Sequence, residues 1–576
     1  MMIFKAIACD YDGTLALENR IAPEALAALE QVRQAGVRLI LVTGRTLFGL
    51  TRACECLDFF DAVVAENGGV LYFPGLGMIR DLGPPPAGRL LVELDRRGIS
   101  FEAGRVVVGT WRGDEEKVRD ALGAANVSLE IVYNRAALML VPAGVSKGEG
   151  VRQVVREFGL SFHDVLAIGD AENDLGLFEA CGWTACPENA VPALKERADW
   201  VFPGENGVAV AAALAGPVLG GLLPPSARHR IMLGWAAETS EPVTVPARGV
   251  NVLIQGDSFS GKSWLAGGLI ERLYGRRYAT CVIDPEGDFR VLGRLPGVTW
   301  VEVRQGSSWE GLLSPLNRDS SACLIADLSC LPHAEKLESI EQGFRLIREF
   351  RERLGLPHWV VLDEAHYSLH RDGVEERAIG MGEKGFCLVT YKPSLIRPSV
   401  LKAMDILILG RTTAPGELKS LRASLPGGRE ADAIAVLPGL PRGEFVLIEP
   451  AGTGDRAPLT FVAAPRETRH VRHLMKYADV PLPAERRFFF RHPTGRLAAA
   501  AGSLNEFRDI VATVEDGVLE YHAGRNDFSR WLLDLFSDRE LGAQLRKIET
   551  RWSRGETPDL RQAIARLIRE RYGAAR

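Results

Sequence analysis

Four separated stretches of this sequence hold the residue types that phosphoryl-transfer chemistry needs. Residues 6–15 read AIACDYDGTL. Side chains two apart in a strand share a side, so Asp10 and Asp12 project together where an apolar strand ends at Gly13. Two carboxylates there can bind a divalent cation, and one can attack an electrophile. A second strand, LILVT, ends in Thr43-Gly44-Arg45 and brings a hydroxyl and backbone N–H groups to its terminus. Val145-Ser146-Lys147-Gly148 opens a helix with a lysine able to neutralise an anion, and VLAIGDAENDL places Asp170 at a strand end with Asn173 and Asp174 one turn on. An acidic turn alone is an ordinary surface feature. Acid pair, hydroxyl, lysine and second acid pair, each at a strand end or helix start, describe a Mg²⁺-assisted phosphoryl-transfer site.

A second constellation follows. Residues 250–263 read VNVLIQGDSFSGKS. A strand, then Gly256, Ser258, Ser260, Gly261, Lys262 and Ser263 in a glycine-containing turn, then a helix, make a phosphate-binding loop. Its N–H groups and helix start receive the phosphates of ATP, Lys262 reaches the β/γ oxygens, and Ser263 ligates Mg²⁺. A hundred residues on, HWVVLDEAH ends an apolar strand in Asp363-Glu364. Asp363 suits Mg²⁺, and Glu364 suits a base that orients attacking water, the mark of hydrolysis. Arg411 follows a later strand, ILILGRT, and is a candidate phosphate contact.

These residues need scaffolds. The chain has 576 residues, 46% hydrophobic and 25% charged, which predicts three or four domains and excludes wholesale disorder. The net charge of −5 argues against a protein that coats nucleic acid by charge alone. Residues 1–230 hold 22 Lys and Arg against 29 Asp and Glu, leaving the remainder at +2. The nine cysteines are scattered; Cys54-Glu-Cys56 is a lone short pair, weakly suggestive of metal, and no disulfide framework is present. The start lacks a signal peptide, and the longest apolar run, Val208 to Leu223, is too short and too rich in Gly and Pro to span a membrane. A reducing, cytoplasmic location is expected.

Strands alternating with helices imply parallel α/β sheets with ligands at the carboxyl ends of their strands. A Gly/Pro stretch over 217–229 reads as a linker between the two α/β units. A change near Pro481-Leu-Pro483 introduces a helical tail, 482–576, in which Phe528, Trp531, Leu532, Leu535 and Phe536 share a face. Ser537-Asp-Arg-Glu540 has capping-box spacing. His522 and Asp527 read as a structural histidine and a capping aspartate, and the last 36 residues hold nine Lys and Arg against four Asp and Glu, read as a solvated face.

DYDGT, VTGR, SKGEG and GDAENDL resemble the four motifs of the haloacid-dehalogenase-like (HAD) phosphatases, in the Cof-type branch that includes sugar-phosphate phosphatases; the likeness covers about 3–216. It implies a Rossmann-like core with a small α+β cap at about 84–143. Asp10 would be the nucleophile that becomes an aspartyl-phosphate and Asp12 the general acid/base. Thr43 and Lys147 would hold the phosphoryl group, and Asn173 would help orient the site. Asp10, Asp12, Asp170 and Asp174 make up the implied Mg²⁺ set. The short cap suggests a small phosphorylated metabolite.

IDPEGDF, DEAH, TYKPSLIRPSVLKAMDILILGRT and PRGEFVLI resemble the HerA/FtsK-like motor ATPases over about 230–465. That likeness implies a RecA-like, additional-strand P-loop domain, then a small all-α C-terminal domain over 482–576. Tyr391 stands where a sensor Gln is common, and the amino-terminal barrel of DNA-translocating members is absent. Such relatives form rings, so a homo-oligomer, hexameric at the largest expectation, is implied. The leading reading is a bifunctional hydrolase, phosphatase plus ATPase. The alternative is a DNA-translocating or DNA-end-processing machine, in genome maintenance or defence, although no basic stripe in the sequence supports nucleic acid as a partner.

Overall fold

The computed structural model describes residues 4–221, 223, 226, 228–370, 379–424, 429–449, 457–468, 487–536, 539–556 and 559–572. Three of the predicted strands, Ala6–Asp10, Arg38–Val42 and Val165–Ile168, are wholly apolar or nearly so and buried on both faces, as the centre of a parallel sheet requires. They lie side by side in an eight-stranded sheet. Its order is Trp200–Phe202, Trp183–Pro187, Val165–Ile168, Ala6–Asp10, Arg38–Val42, Ala62–Ala65, Val70–Phe73 and Met78–Asp81. The first six strands run parallel, Val70–Phe73 returns antiparallel, and Met78–Asp81 pairs antiparallel with it at the edge. Between this sheet's last edge strand and Lys147 sits an α+β insert, a four-stranded antiparallel sheet with the helices Gly88–Arg96 and Glu115–Ala125. The apolar run from Val208 begins in the helix Asn206–Ala213, which packs on the helix Pro23–Gln34.

A second sheet has eleven strands. Seven are parallel, in the order Ile406–Gly410, Val252–Gln255, Phe386–Thr390, Trp359–Leu362, Thr280–Asp284, Cys323–Asp327 and Val298–Glu302. One strand, Phe386–Thr390, separates the strand before the glycine loop from the strand before Asp363. The stretch ahead of Val252–Gln255 supplies strands Arg230–Ala236 and Pro242–Pro246, which extend the antiparallel edge of this sheet.

The expectation of an all-α tail is corrected. An antiparallel hairpin, Phe488–Arg491 with Leu497–Ala501, precedes its helices. Phe488 and Phe490 alternate inward and pack on Phe507 and Phe528, so period-2 burial takes this segment into a strand. Phe528 and Leu532 are buried on one face, as the helical period predicted. His522 Nδ1 meets Asp527 at 2.8 Å while its Nε2 accepts from the Arg491 amide at 2.9 Å, so both ring nitrogens serve the fold. Pro481–Pro483 and the first two positions of the capping box, Ser537 and Asp538, lie outside the described residues.

The two large sheets meet at their amino-terminal ends. Asp164, just before Val165–Ile168, is fully buried against Arg248 at 2.7 Å. His358, just before Trp359–Leu362, accepts from the Ala279 amide on Nδ1 at 2.8 Å, which leaves its proton on Nε2, 3.3 Å from Asp164. His163 stacks on Tyr278 with ring centroids 3.7 Å apart. Lys5 reaches across to the Glu352 carbonyl at 2.7 Å. The strand ends that carry Asp10 and Asp170, and those that carry Gly256 and Asp363, therefore point away from a shared base.

Candidate functional site

Asp10 ends its strand in register with Val42, so Thr43 begins the loop beside it. Asp170 follows the neighbouring strand, and the turn Glu172–Asp174 brings Asp174 back beneath it, where Asp174 Oδ2 accepts from the amides of Asp170 and Ala171, each at 3.0 Å. Gly13, at φ +77°, closes the first loop against this group. A Cβ there would lie 2.5 Å from Asp170 Oδ2, so both its backbone and its space call for glycine.

Carboxylate oxygens of Asp10, Asp170 and Asp174 lie within 4.8 Å of one another, all three side chains buried. Lys147, the first residue of the helix Lys147–Glu157, is also buried and donates to Asp10 at 2.5 Å and Asp174 at 2.7 Å. Ser146 caps that helix by accepting from the Glu149 amide. Burial, then Asp174, pushes the Asp10 carboxyl well above the usual range, while Lys147 pulls it down. Burial and Asp174 also raise Asp170. Burial disfavours the Lys147 ammonium, yet Asp10 and Asp174 outweigh it and the net shift is upward. Three oxygen ligands and a surplus of negative charge suit a hard divalent cation.

Of the residues expected here, Asp10, Lys147, Asp170 and Asp174 come together. Thr43 is buried at the adjacent strand end and accepts from the Arg45 amide at 3.1 Å. Asn173 turns to Asn67 at 3.5 Å. Asp12 departs from the implied metal set. Its side chain is held by Arg45 at 2.5 and 2.8 Å, on the cleft side and outside the carboxylate trio. The strand ends at Asp10 and Tyr11 already belongs to the turn, so the two-residue alternation does not carry on to Asp12.

Sequence reasoning missed Arg135. It sits in a left-handed turn between the insert strands Glu130–Asn134 and Ala137–Val141, and its guanidinium pairs with Asp170. A polar Asn-Arg between two apolar runs marked a hairpin, but nothing local said where its tip would land. Thr14, the last letter of DYDGT, donates to Asp170 at 2.9 Å. Glu66 was also unassigned. Buried, it accepts from the amides of Arg105, Val106 and Val107 and ties the core to the insert. Between core and insert lies a cleft of about 510 Å³, lined by Asp12, Arg45, Glu102, Trp111, Asn134 and Met139 among others.

At the second sheet, the loop after Val252–Gln255 turns through Phe259 (φ +72°) and Gly261 (φ +108°) into the helix Lys262–Gly275. Ser260 and Lys262 are buried, Ser263 is half-buried and Ser258 is exposed. Gly256 is buried, and its amide and that of Asp257 are held by the carbonyls of Thr390 and Arg411. The Arg411 side chain is exposed. Asp363 and Glu364 are buried, Glu364 at φ +45°. His366 bridges Glu364 Oε2 at 3.5 Å and Thr390 Oγ1 at 3.1 Å. The Tyr391 ring lies against His366 and 5.7 Å from Lys262 Nζ.

Comparison with known proteins places the first site in context. The family described as haloacid dehalogenase-like hydrolase matches residues 7–81 and 103–214. The phosphoglycolate phosphatase of Methanothermobacter thermautotrophicus is 34% identical over 218 residues, which is 36% of this chain and 97% of that protein. The enzyme of the same name from Archaeoglobus fulgidus is 34% identical over 220 residues, 36% of this chain and 95% of that one. A crystal structure from Thermoplasma acidophilum aligns with 22% identity and a TM-score of 0.32, over 36% of this chain and 95% of that chain.

Proposed function

Through its amino-terminal part the chain belongs to the haloacid dehalogenase-like hydrolase family, and from that premise we propose that it is a phosphate monoesterase acting at Asp10. The observation that carries the reading is the buried trio Asp10, Asp170 and Asp174 braced by Lys147. Asp10 attacks phosphorus, the ester oxygen leaves, and an aspartyl-phosphate forms that water later cleaves. Asp12, steered by Arg45 on the cleft side, gives its proton to the leaving oxygen and takes one from the water. Lys147 opposes the upward push on Asp10 and, with Thr43, holds the phosphoryl oxygens. The trio would hold Mg²⁺, which supplies charge neutralisation to the transferring group.

The cleft of about 510 Å³ has room for a sugar phosphate as well as a two-carbon phosphate ester. Phosphate release from a panel of phosphoglycolate, sugar phosphates and phosphorylated DNA ends, with Mg²⁺, tests the reading. Release from none of them would sink it.

We propose further that residues 230–465 form a HerA/FtsK-like P-loop ATPase, beyond a linker at 217–229, with 482–576 as a third domain. Support comes from the glycine loop between strand and helix, the buried Asp363-Glu364 at a strand end, and the single strand between them. Lys262 and Ser263 would receive the phosphates and Mg²⁺ of ATP, and Glu364, steadied by His366, would orient water. ATP hydrolysis measured with and without DNA tests this, since strong stimulation would move the reading to a DNA machine. The particle mass in solution tests ring assembly.

A further inference from the structure

We propose that Cys54 and Cys56 are a reversible thiol switch on the phosphatase site. Cys54 caps the end of the helix Leu47–Ala53, and Cys56 precedes the turn Leu57–Phe59. Their sulfurs are 3.4 Å apart, in hydrogen-bond contact. A bond between them needs the sulfurs to close from 3.4 Å to about 2.05 Å. No third metal-ligating side chain joins them among the described residues.

The pair is wired to the reacting centre. The Tyr11 hydroxyl donates to the carbonyl of Ala53, next to Cys54, at 3.2 Å, and to that of Asn19 at 3.1 Å. Arg45 lies over the Tyr11 ring at 5.3 Å and grips Asp12 at 2.5 Å. Tyr11 itself separates Asp10 from Asp12. Moving residues 53–56 therefore moves the platform on which Arg45 holds Asp12.

Cys54 is itself buried, yet its chemistry differs from that of Cys281 and Cys323. Burial lifts Cys281 and Cys323 to about 12. Cys54 is instead lowered to about 7, first by the hydrogen bond from Cys56, against the effect of burial. A thiolate is the reactive form. A hydroperoxide supplies the oxidising power. The Cys54 thiolate attacks one peroxide oxygen, the O–O bond breaks, and an alcohol or water leaves with a sulfenic acid on Cys54. The Cys56 sulfur, losing its proton, then attacks that sulfur, the S–O bond breaks and water departs. Two thiols have lost two electrons and two protons, which the peroxide has taken up. In a reducing compartment such a bond is transient, as a sensor requires.

The activity arm rests on the phosphatase reading; the cross-link does not. The full chain is treated with hydrogen peroxide, its free thiols are trapped, and peptide masses and phosphate release are followed before and after dithiothreitol. The expected result is a Cys54–Cys56 peptide lighter by two hydrogens and a several-fold fall in rate, both reversed by the reductant. Cys56→Ser keeps the untreated rate and forms no cross-link. Absence of the cross-linked peptide in the wild-type chain would overturn the switch. A cross-link that leaves the rate unchanged would overturn its coupling to Asp12. Failure of the untreated chain to release phosphate would count against the phosphatase reading alone.

Discussion

Both α/β sheets place buried acids at strand ends, yet the two sites balance those acids differently. At the first, Lys147 stands between Asp10 and Asp174 at 2.5 and 2.7 Å, so side chains from three separate elements brace one another. At the second, order is carried by backbone. Phe259, Gly261 and Glu364 adopt left-handed conformations, and neighbouring carbonyls hold the loop amides. The first site has Lys147 set between its acids, whereas the second has buried Lys262 at the start of a helix that a left-handed glycine loop leads into. The difference teaches where each site is fragile: the first in its charges, the second in its loop. Both lie at the far ends of sheets joined base to base.

Separate substitution is the sharpest way to break this comparison. Asp10→Asn removes the nucleophile and is expected to lower phosphate-ester hydrolysis by about a thousandfold or more. ATP hydrolysis should stay at the wild-type rate. Lys262→Ala should do the reverse, cutting ATP hydrolysis at least about a hundredfold with ester hydrolysis intact. Both are read by phosphate release from the two substrates. If either substitution silenced both activities in a folded chain, the picture of two independent sites would be lost.

Lys147→Ala addresses the lysine set between those acids. It leaves Asp10 and Asp174 buried without their brace, and removing one partner of a buried ion pair costs about 3–5 kcal/mol. Urea unfolding without divalent cation should show that loss, and added Mg²⁺ should recover part of it. Equal loss with and without Mg²⁺ would mean that the trio does not hold the ion.

Much of the first site was legible because its parts are local. An apolar strand that ends in an acid declares both the strand and the acid's position, and this located Asp10, Asp170 and, one turn on, Asp174. Lys147 was legible from Ser146 at a helix start. Long-range placement was not. Arg135 reaches Asp170 because a whole insert folds over the core, and no local pattern encodes that arrival. The two-residue alternation that set Asp12 beside Asp10 does not hold past Asp10, where the strand ends. Strands Arg230–Ala236 and Pro242–Pro246 were missed because they lie at a sheet edge, and the first is broken by a bulge between Met232 and Gly234. The hairpin at 488–501 hid behind FFF and AAAA runs, whose apolar letters show no alternation.

The shared base is where the comparison can be collapsed into one property. Arg248→Ala strands the fully buried Asp164 and should cost about 3 kcal/mol. Since both sheets lean on that junction, the thermal inactivation midpoints of the two activities should fall together. A fall in one alone would show that the sheets unfold separately.

Acid should loosen the same junction more gently. Burial first holds His163, His229 and His358 below the ordinary histidine range, and Asp164 only partly offsets it at His358. The groups that face them are Asp164 and Arg248, with Tyr278 and Arg276 across the interface. Once pH falls below about 6.5 the unfolded chain binds protons that the folded chain refuses, so stability drops as acid is added. Asp164 adds nothing in that window. Burial alone would raise its carboxyl, but Arg248 and His358 bring it below its ordinary value, and its contribution is lost only at still lower pH. The histidines' share of the unfolding free energy should therefore be flat from pH 8 to about 7 and decline below about 6.5, read as the difference between wild type and the histidine variants. His358→Gln should flatten part of that decline, because glutamine has no proton to gain. A decline unchanged in His358→Gln would remove this histidine from the acid response and place the sensitivity on His163 and His229.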